Sequence, residues 1–242
     1  MNSEVYHSLI TETLEFIRAT QKEHIRRVAH LKAEAIKANR LLHYCGCGHS
    51  LMLCEEVFFR AGGLACVNPI FDTGLMIQHG AVKSSHLEKQ EGYTRYILDQ
   101  YQLNKGDIIT IFSTSGRNPV PIDAAIIAKE MGLTTVAITS IQYSEKTCSR
   151  HNSGLKLHQV ADIVIDNGIA YGDALLDYGS YWAVPGSTLA GAYIINCIMA
   201  ETLAQLKKEN YQPPVLISGN IDGASQKNLK TLEPYRNRVK HL

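Results

Sequence analysis

Short, dense runs of apolar residues alternate along this chain with longer stretches in which apolar positions recur every three or four residues. Runs near Leu41–Cys45, Leu64–Ile70, Asp107–Thr114, Thr134–Thr139, Asp162–Asp166 and Val215–Ser218 predict strands. Helical periodicity fills 50–61, 86–102, 119–131 and 187–208 between them. Residues 3–40 read as one or two leading helices, with apolar positions at Leu9, Ile10, Leu14, Ile17, Ile25, Val28 and Leu31. This alternation predicts an α/β fold: a three-layer α/β/α sandwich with a mainly parallel, doubly wound sheet, preceded by N-terminal helices. The organisation expected is a single domain over 1–242, with a helical arm at 1–40, a core at 41–208 and a C-terminal strand and tail at 209–242.

Composition narrows the function classes. The chain has 242 residues, 45% of them hydrophobic, enough for one sizeable core. A formal net charge of +1 gives no broad attraction to nucleic acid or anionic membrane, and neither is expected as a partner. The first residues lack the basic-then-apolar layout of a signal peptide, and no uninterrupted apolar run reaches spanning length. Six cysteines without framework spacing point to a reducing cytoplasm. Cys45, Cys47, His49 and Cys54 lie close together, but a lone Cys-x-Cys is poor zinc spacing, so neither metal nor cofactor is expected.

Two strand-to-helix junctions carry the candidate chemistry. After Ile108–Phe112 the chain turns abruptly polar at Ser113, Thr114, Ser115, Gly116, Arg117 and Asn118, and Pro119 opens a helix. Helix-start N–H groups lack internal partners and carry partial positive charge, so a polar loop delivered there suits an anion of phosphate size. Hydroxyls and the Asn118 amide add donors, while Gly116 permits a turn that a side chain would hinder. The plainer reading is that Ser and Asn merely cap the helix. A second junction follows Leu41–Cys45 and reads Gly46, Cys47, Gly48, His49, Ser50. It lacks the third glycine of a dinucleotide fingerprint, since position 51 is Leu. In a doubly wound sheet both loops would share the carboxyl edge, where ligands bind.

Together, Gly46-x-Gly48-x-Ser50 and Ser113-x-Ser115-Gly116-x-Asn118 resemble the sugar isomerase (SIS) domain family of phosphosugar-binding proteins, across most of Lys37 to Leu206. The family pattern usually has Thr where this chain has Asn118. Within the family, the chain is similar to phosphoheptose isomerase-like proteins and to a bacterial branch described only as SIS-domain proteins. The resemblance implies a phosphorylated sugar as ligand, a homodimer or homotetramer, and leading helices that pack on a partner subunit. Phosphoheptose isomerases carry Gln and His on a late helix; the corresponding stretch here, Ser187–Cys197, has no histidine, which counts against that particular reaction and its zinc.

Aldose–ketose isomerisation needs a base to move a proton between neighbouring carbons. The resemblance places a catalytic carboxylate on the helix before the Ser-x-Ser-Gly strand, which nominates Glu91 first and Glu88 second, both read at the start of a helix. Acidic residues in a first turn also stabilise a helix without any chemistry. His151, with Arg150 beside it, could assist proton transfer or pair with phosphate, although a loop histidine is commonly just solvated. Asp173 and Ser187 are candidates to touch the sugar, or to stabilise a turn and cap a helix. Gly48, His49, Ser50 and the whole 113–118 loop complete the expected phosphosugar site, and His241 could reach a neighbouring subunit's site. Three functions stay open: a phosphosugar isomerase with a carboxylate base, a lyase cleaving an ether beside a carbonyl, and a non-catalytic phosphosugar sensor.

Overall fold

The computed structural model describes residues 1–242 and shows a five-stranded, wholly parallel sheet with helices on both faces. The strands are β1 (Leu42–Gly46), β2 (Val67–Ile70), β3 (Ile108–Phe112), β4 (Thr134–Thr139) and β5 (Ile163–Asp166), in the spatial order β2-β1-β3-β4-β5. Alternation along each strand feeds two separate cores. Ile108 and Phe112 of β3 point to one face, with Leu42, Tyr44, Val136 and Ile138, whereas Ile109, Ile111 and Ala137 point to the other. Burial on both faces is why these strands read as continuous apolar runs.

The first face is covered by α1 (Asn2–Thr20), α2 (Lys22–Lys37), α3 (Met52–Val57) and α9 (Ser187–Lys208). The second is covered by α5 (Tyr93–Leu98), α6 (Pro119–Glu130) and α8 (Leu157–Val160), with α4 (Ala81–Leu87) and α7 (Ile141–Glu145) beside the carboxyl edge. By length and composition α9 passes for a membrane-spanning helix, although Asn196 and Glu201 interrupt its apolar residues. In the fold it is a core helix, packed on α1, α2 and α3 with Ile194, Ile198 and Leu206 buried.

Two expectations are corrected, and one element had no counterpart in the sequence pattern. The helix read at 86–102 is broken, because Gly92 adopts a left-handed φ of 74° and separates α4 from α5. The strand read at 215–218 reduces to one antiparallel bridge between Leu64 and Val215, and the tail instead forms α10 (Ala224–Leu232). A hairpin of β6 (Ala174–Asp177) and β7 (Trp182–Pro185) stands where no element was predicted.

Candidate functional site

Strand order decides which loops meet. β1 and β3 are hydrogen-bonded neighbours, with Gly46 opposite Phe112 at their carboxyl ends, so the 46–50 and 113–118 loops leave the sheet side by side. This is the switch point of the order, where β2 lies to one side and β4 to the other. Two glycines make the junctions possible. A Cβ on Gly46 would lie 2.6 Å from the Ser50 carbonyl oxygen. Gly116 has φ of 60°, and its Cβ would lie 2.8 Å from the Thr139 hydroxyl.

Between these loops opens a cavity of about 400 Å³. Gly48, His49, Ser50, Ser113, Thr114, Ser115, Arg117 and Asn118 line it, as do Asp173 and Ser187 from the hairpin's base and the start of α9. The 113–118 turn is tightly tied. Ser113 Oγ accepts from the Gly116 N–H at 3.2 Å, and Gly116 O accepts from the Leu157 N–H at 2.9 Å. Gly116 itself is buried behind the wall. Arg117 faces the cavity with a buried Nε that has no partner. Asn118 makes no side-chain cap to α6; its amide turns into the cavity wall instead.

The nominated carboxylates part company. Glu88 lines the cavity, is half-buried, and accepts a 3.0 Å bond from Asn118 Nδ2. It stands at the C-terminal end of α4, not in a first turn, an unfavourable place for an anion. Burial raises its proton affinity above the ordinary carboxylate value, and Lys89 and Arg150 only partly offset that. Glu91 does not line the cavity. It is exposed in the turn before Gly92, and its carboxylate accepts from the backbone N–H and the side-chain amide of Asn152.

His151 also lies outside the cavity lining. Its Nε2 meets Asp123 Oδ1 at 3.0 Å and its Nδ1 meets Ser153 Oγ at 2.7 Å, tying the 149–154 loop to α6. Arg150 is the one residue of that loop that reaches the cavity. His241 is remote, packed on Phe71 and bonded to the Tyr101 hydroxyl at 2.9 Å. Asp173 is saturated: it accepts from the Ser187 N–H at 2.9 Å and the Ser187 hydroxyl at 2.6 Å. It therefore caps α9 from the cavity wall.

Sequence reasoning left out Ser85, Lys89 and Tyr143, which line the same cavity. Ser85, Glu88 and Lys89 stand at i, i+3 and i+4, so helical spacing would have grouped them had the helix been started at 81 rather than 86. Cys47 is also in the wall, but burial pushes its thiol well above the usual range, so it remains protonated and no nucleophile. The cavity's cations Lys89, Arg117 and Arg150 form no salt bridge to any carboxylate within the chain, whereas Arg18, Arg26, Arg60, Arg95 and Arg236 all do.

Known proteins resemble this chain in sequence and in fold. A UPF0309 protein of Caldanaerobacter subterraneus is 47% identical over 99% of this chain and 99% of its own length. A phosphoheptose isomerase from Neisseria gonorrhoeae has the same fold at a TM-score of 0.57 and 15% identity, over 84% of this chain and 96% of that one. The sugar isomerase domain of an RpiR transcription factor from Sphaerobacter thermophilus superposes at a TM-score of 0.51 and 14% identity, over 96% of both chains. A sequence profile of the SIS domain matches residues 5–140, a span that holds both glycine-and-hydroxyl loops, Glu88 and the switch point between β1 and β3. On that match and the near-full-length relative, the chain belongs to the SIS domain family.

Proposed function

We propose that this chain binds a phosphorylated sugar and interconverts its aldose and ketose forms, with Glu88 as the base. One observation carries the reading: a half-buried carboxylate shares a single cavity with a loop of hydroxyls and unpaired cations. Ser113, Thr114 and Ser115 with Arg117 supply donors suited to a phosphate dianion, and Gly48 and Ser50 close the other wall. Lys89 and Arg150 add positive charge where an enediolate would develop.

The chemistry follows from that arrangement. Glu88 removes the proton from the carbon beside the carbonyl while the carbonyl oxygen gains one, giving an enediol. The carboxyl then returns its proton to the adjacent carbon as the other hydroxyl proton leaves, with atoms and electrons conserved. A carboxyl with raised proton affinity is suited to both halves of this transfer, since it must accept and release the same proton. His49, Lys89 and Tyr143 are among the cavity residues chemically able to polarise the oxygens or carry the hydroxyl proton.

Thermal-shift binding across phosphosugars and their unphosphorylated twins, followed by deuterium exchange in heavy water, tests the reading. The expected result is stabilisation by phosphorylated members only, about 2.7 kcal/mol at one hundred times the dissociation constant, with deuterium appearing at the carbon beside the carbonyl. Loss of an ether substituent from the product would make the reaction a lyase reaction begun by the same proton abstraction. Tight binding without exchange would leave a sensor, the use open to a sugar isomerase domain borne by a transcription factor.

A further inference from the structure

The geometry points to Asn118 as a positioning residue for Glu88: its amide is held on one side by Arg150 and grips the carboxylate on the other, so that the anion loop and the base are aligned as one unit. The inference rests on the reading of Glu88 as the base.

The two hydrogen bonds leave the amide one orientation. Arg150 Nη1 donates to Asn118 Oδ1 at 3.0 Å, and Asn118 Nδ2 donates to Glu88 Oε1 at 3.0 Å. A guanidinium has only donors and an ionised carboxylate only acceptors, so a reversed amide would face like against like at both ends. Asn118 is only 9% exposed, and its side chain is free for this use because it makes no cap to α6. Arg150 in turn is fixed from behind. Its backbone N–H donates to Arg117 O at 2.8 Å, Glu91 anchors the following Asn152, and His151 ties the loop to Asp123. Asp123 also accepts from the Gly92 N–H at 3.0 Å, which fastens the turn after α4 to the same cluster. Glu91 and His151 thus hold the loop that presents Arg150, and Arg150 holds the amide that aims Glu88.

The consequence is testable because Asn118 donates directly to the carboxylate that takes the proton. Lys89 from the end of α4, Arg150 from the 149–154 loop and Cys47 from the β1 loop are the titratable or charged groups that act on Glu88 or feel it, with Arg117, His49 and Asp173 lining the same cavity. Removing the amide takes a donor from the carboxylate and releases Arg150, and both changes favour the protonated acid.

Carboxyl carbon NMR of ligand-free protein, with the Glu88 signal assigned by its loss in Glu88→Gln, gives the titration midpoint directly. Asn118→Ala, and Asn118→Thr with the residue usual in the sugar isomerase pattern, should each raise that midpoint by about half a pH unit or more. In turnover, kcat should fall roughly 10- to 100-fold while KM stays within about threefold, and the acidic limb of kcat/KM should move with the midpoint. An unmoved midpoint in a folded variant overturns the relay. Should neither Asn118 variant fold, Arg150→Lys keeps the charge but loses the planar fork; a midpoint unchanged there is equally fatal. A wild type that titrates as expected yet shows no turnover would defeat the isomerase reading and leave the relay standing.

Discussion

Two carboxylates in this fold each sit in a three-membered polar chain, one at either end of the sheet, and they behave oppositely. Near the amino ends of β1 and β3, Asp107 meets His43 Nε2 at 3.1 Å, and His43 Nδ1 meets the Asn68 amide at 3.2 Å. His43 and Asp107 are 0% and 1% exposed. At the carboxyl edge Glu88 meets Asn118, which meets Arg150. Burial raises the proton affinity of both acids. Asp107 overcomes it with bonds from His43 and from the N–H groups of Asn104 and Leu41, ending below the ordinary value. Glu88 has a single donor and ends above it. The number of donors aimed at a carboxylate, more than its depth, decides whether it is locked as an anion or poised to take a proton. The Asp107–His43–Asn68 chain looks like catalytic machinery on paper, but it is hydrogen-bonded throughout, buried and absent from the cavity wall, so it serves the fold.

Glu88→Gln should break the comparison most sharply. Deuterium exchange into substrate should fall by about 10²- to 10⁴-fold with phosphosugar binding retained. The same change should remove a small pH dependence of stability. An acid whose folded proton affinity is raised costs stability as pH climbs past its ordinary range, so the variant should be flatter there in thermal melts. Asp107→Ala should do the reverse, leaving proton exchange intact in whatever remains folded and destabilising the chain by about 3–5 kcal/mol in urea. In the wild type, Asp107's contribution is present above its ordinary range and is lost as pH falls through its depressed folded value.

A third buried ionisable group sharpens the rule about donors. Lys32 of α2 is buried with one hydrogen bond, to the Tyr44 hydroxyl at 2.9 Å, and burial pushes it down to about 7. The unfolded chain therefore binds more protons between about pH 7 and Lys32's ordinary value of 10.5, and stability should rise with pH across that window. Lys32→Met should stabilise the protein by about 1–4 kcal/mol near neutrality and abolish the rise, as read by urea midpoints at several pH values. The smallest effect is expected at Glu91→Gln. An exposed carboxylate that only anchors Asn152 should cost under about 1 kcal/mol and change turnover a few-fold, through Arg150. Loss of turnover as deep as in Glu88→Gln would restore Glu91 as the base.

The elements were legible where burial was two-sided or periodicity long. β4 occupies Thr134–Thr139 and α9 Ser187–Lys208, the bounds read from the pattern alone. The hairpin escaped because its strands are short and largely exposed, so no core imposes alternation on them. Trp182 is 62% exposed and Val184 takes a left-handed φ of 65°, neither of which a strand pattern anticipates. The tail misled in the opposite sense: Val215–Leu216 is apolar enough for a strand, but it meets the segment before β2 at a single bridge.

Local chemistry was enough to mark the 46–50 and 113–118 loops, because glycines, hydroxyls and a following helix start are encoded by neighbours in sequence. The choice between Glu88 and Glu91 was not, nor was the use of Asn118. The two acids stand three positions apart, and α4 ends between them, leaving Glu88 in the cavity wall and Glu91 in the exposed turn before Gly92. Arg150, 32 residues beyond Asn118, completes the site only because β1, β3 and β4 lie side by side and the loop after β4 folds back onto α6. Spacing along the chain determines which groups are available; the pairing of distant strands determines which of them lose water together, and that shared burial sets their charge.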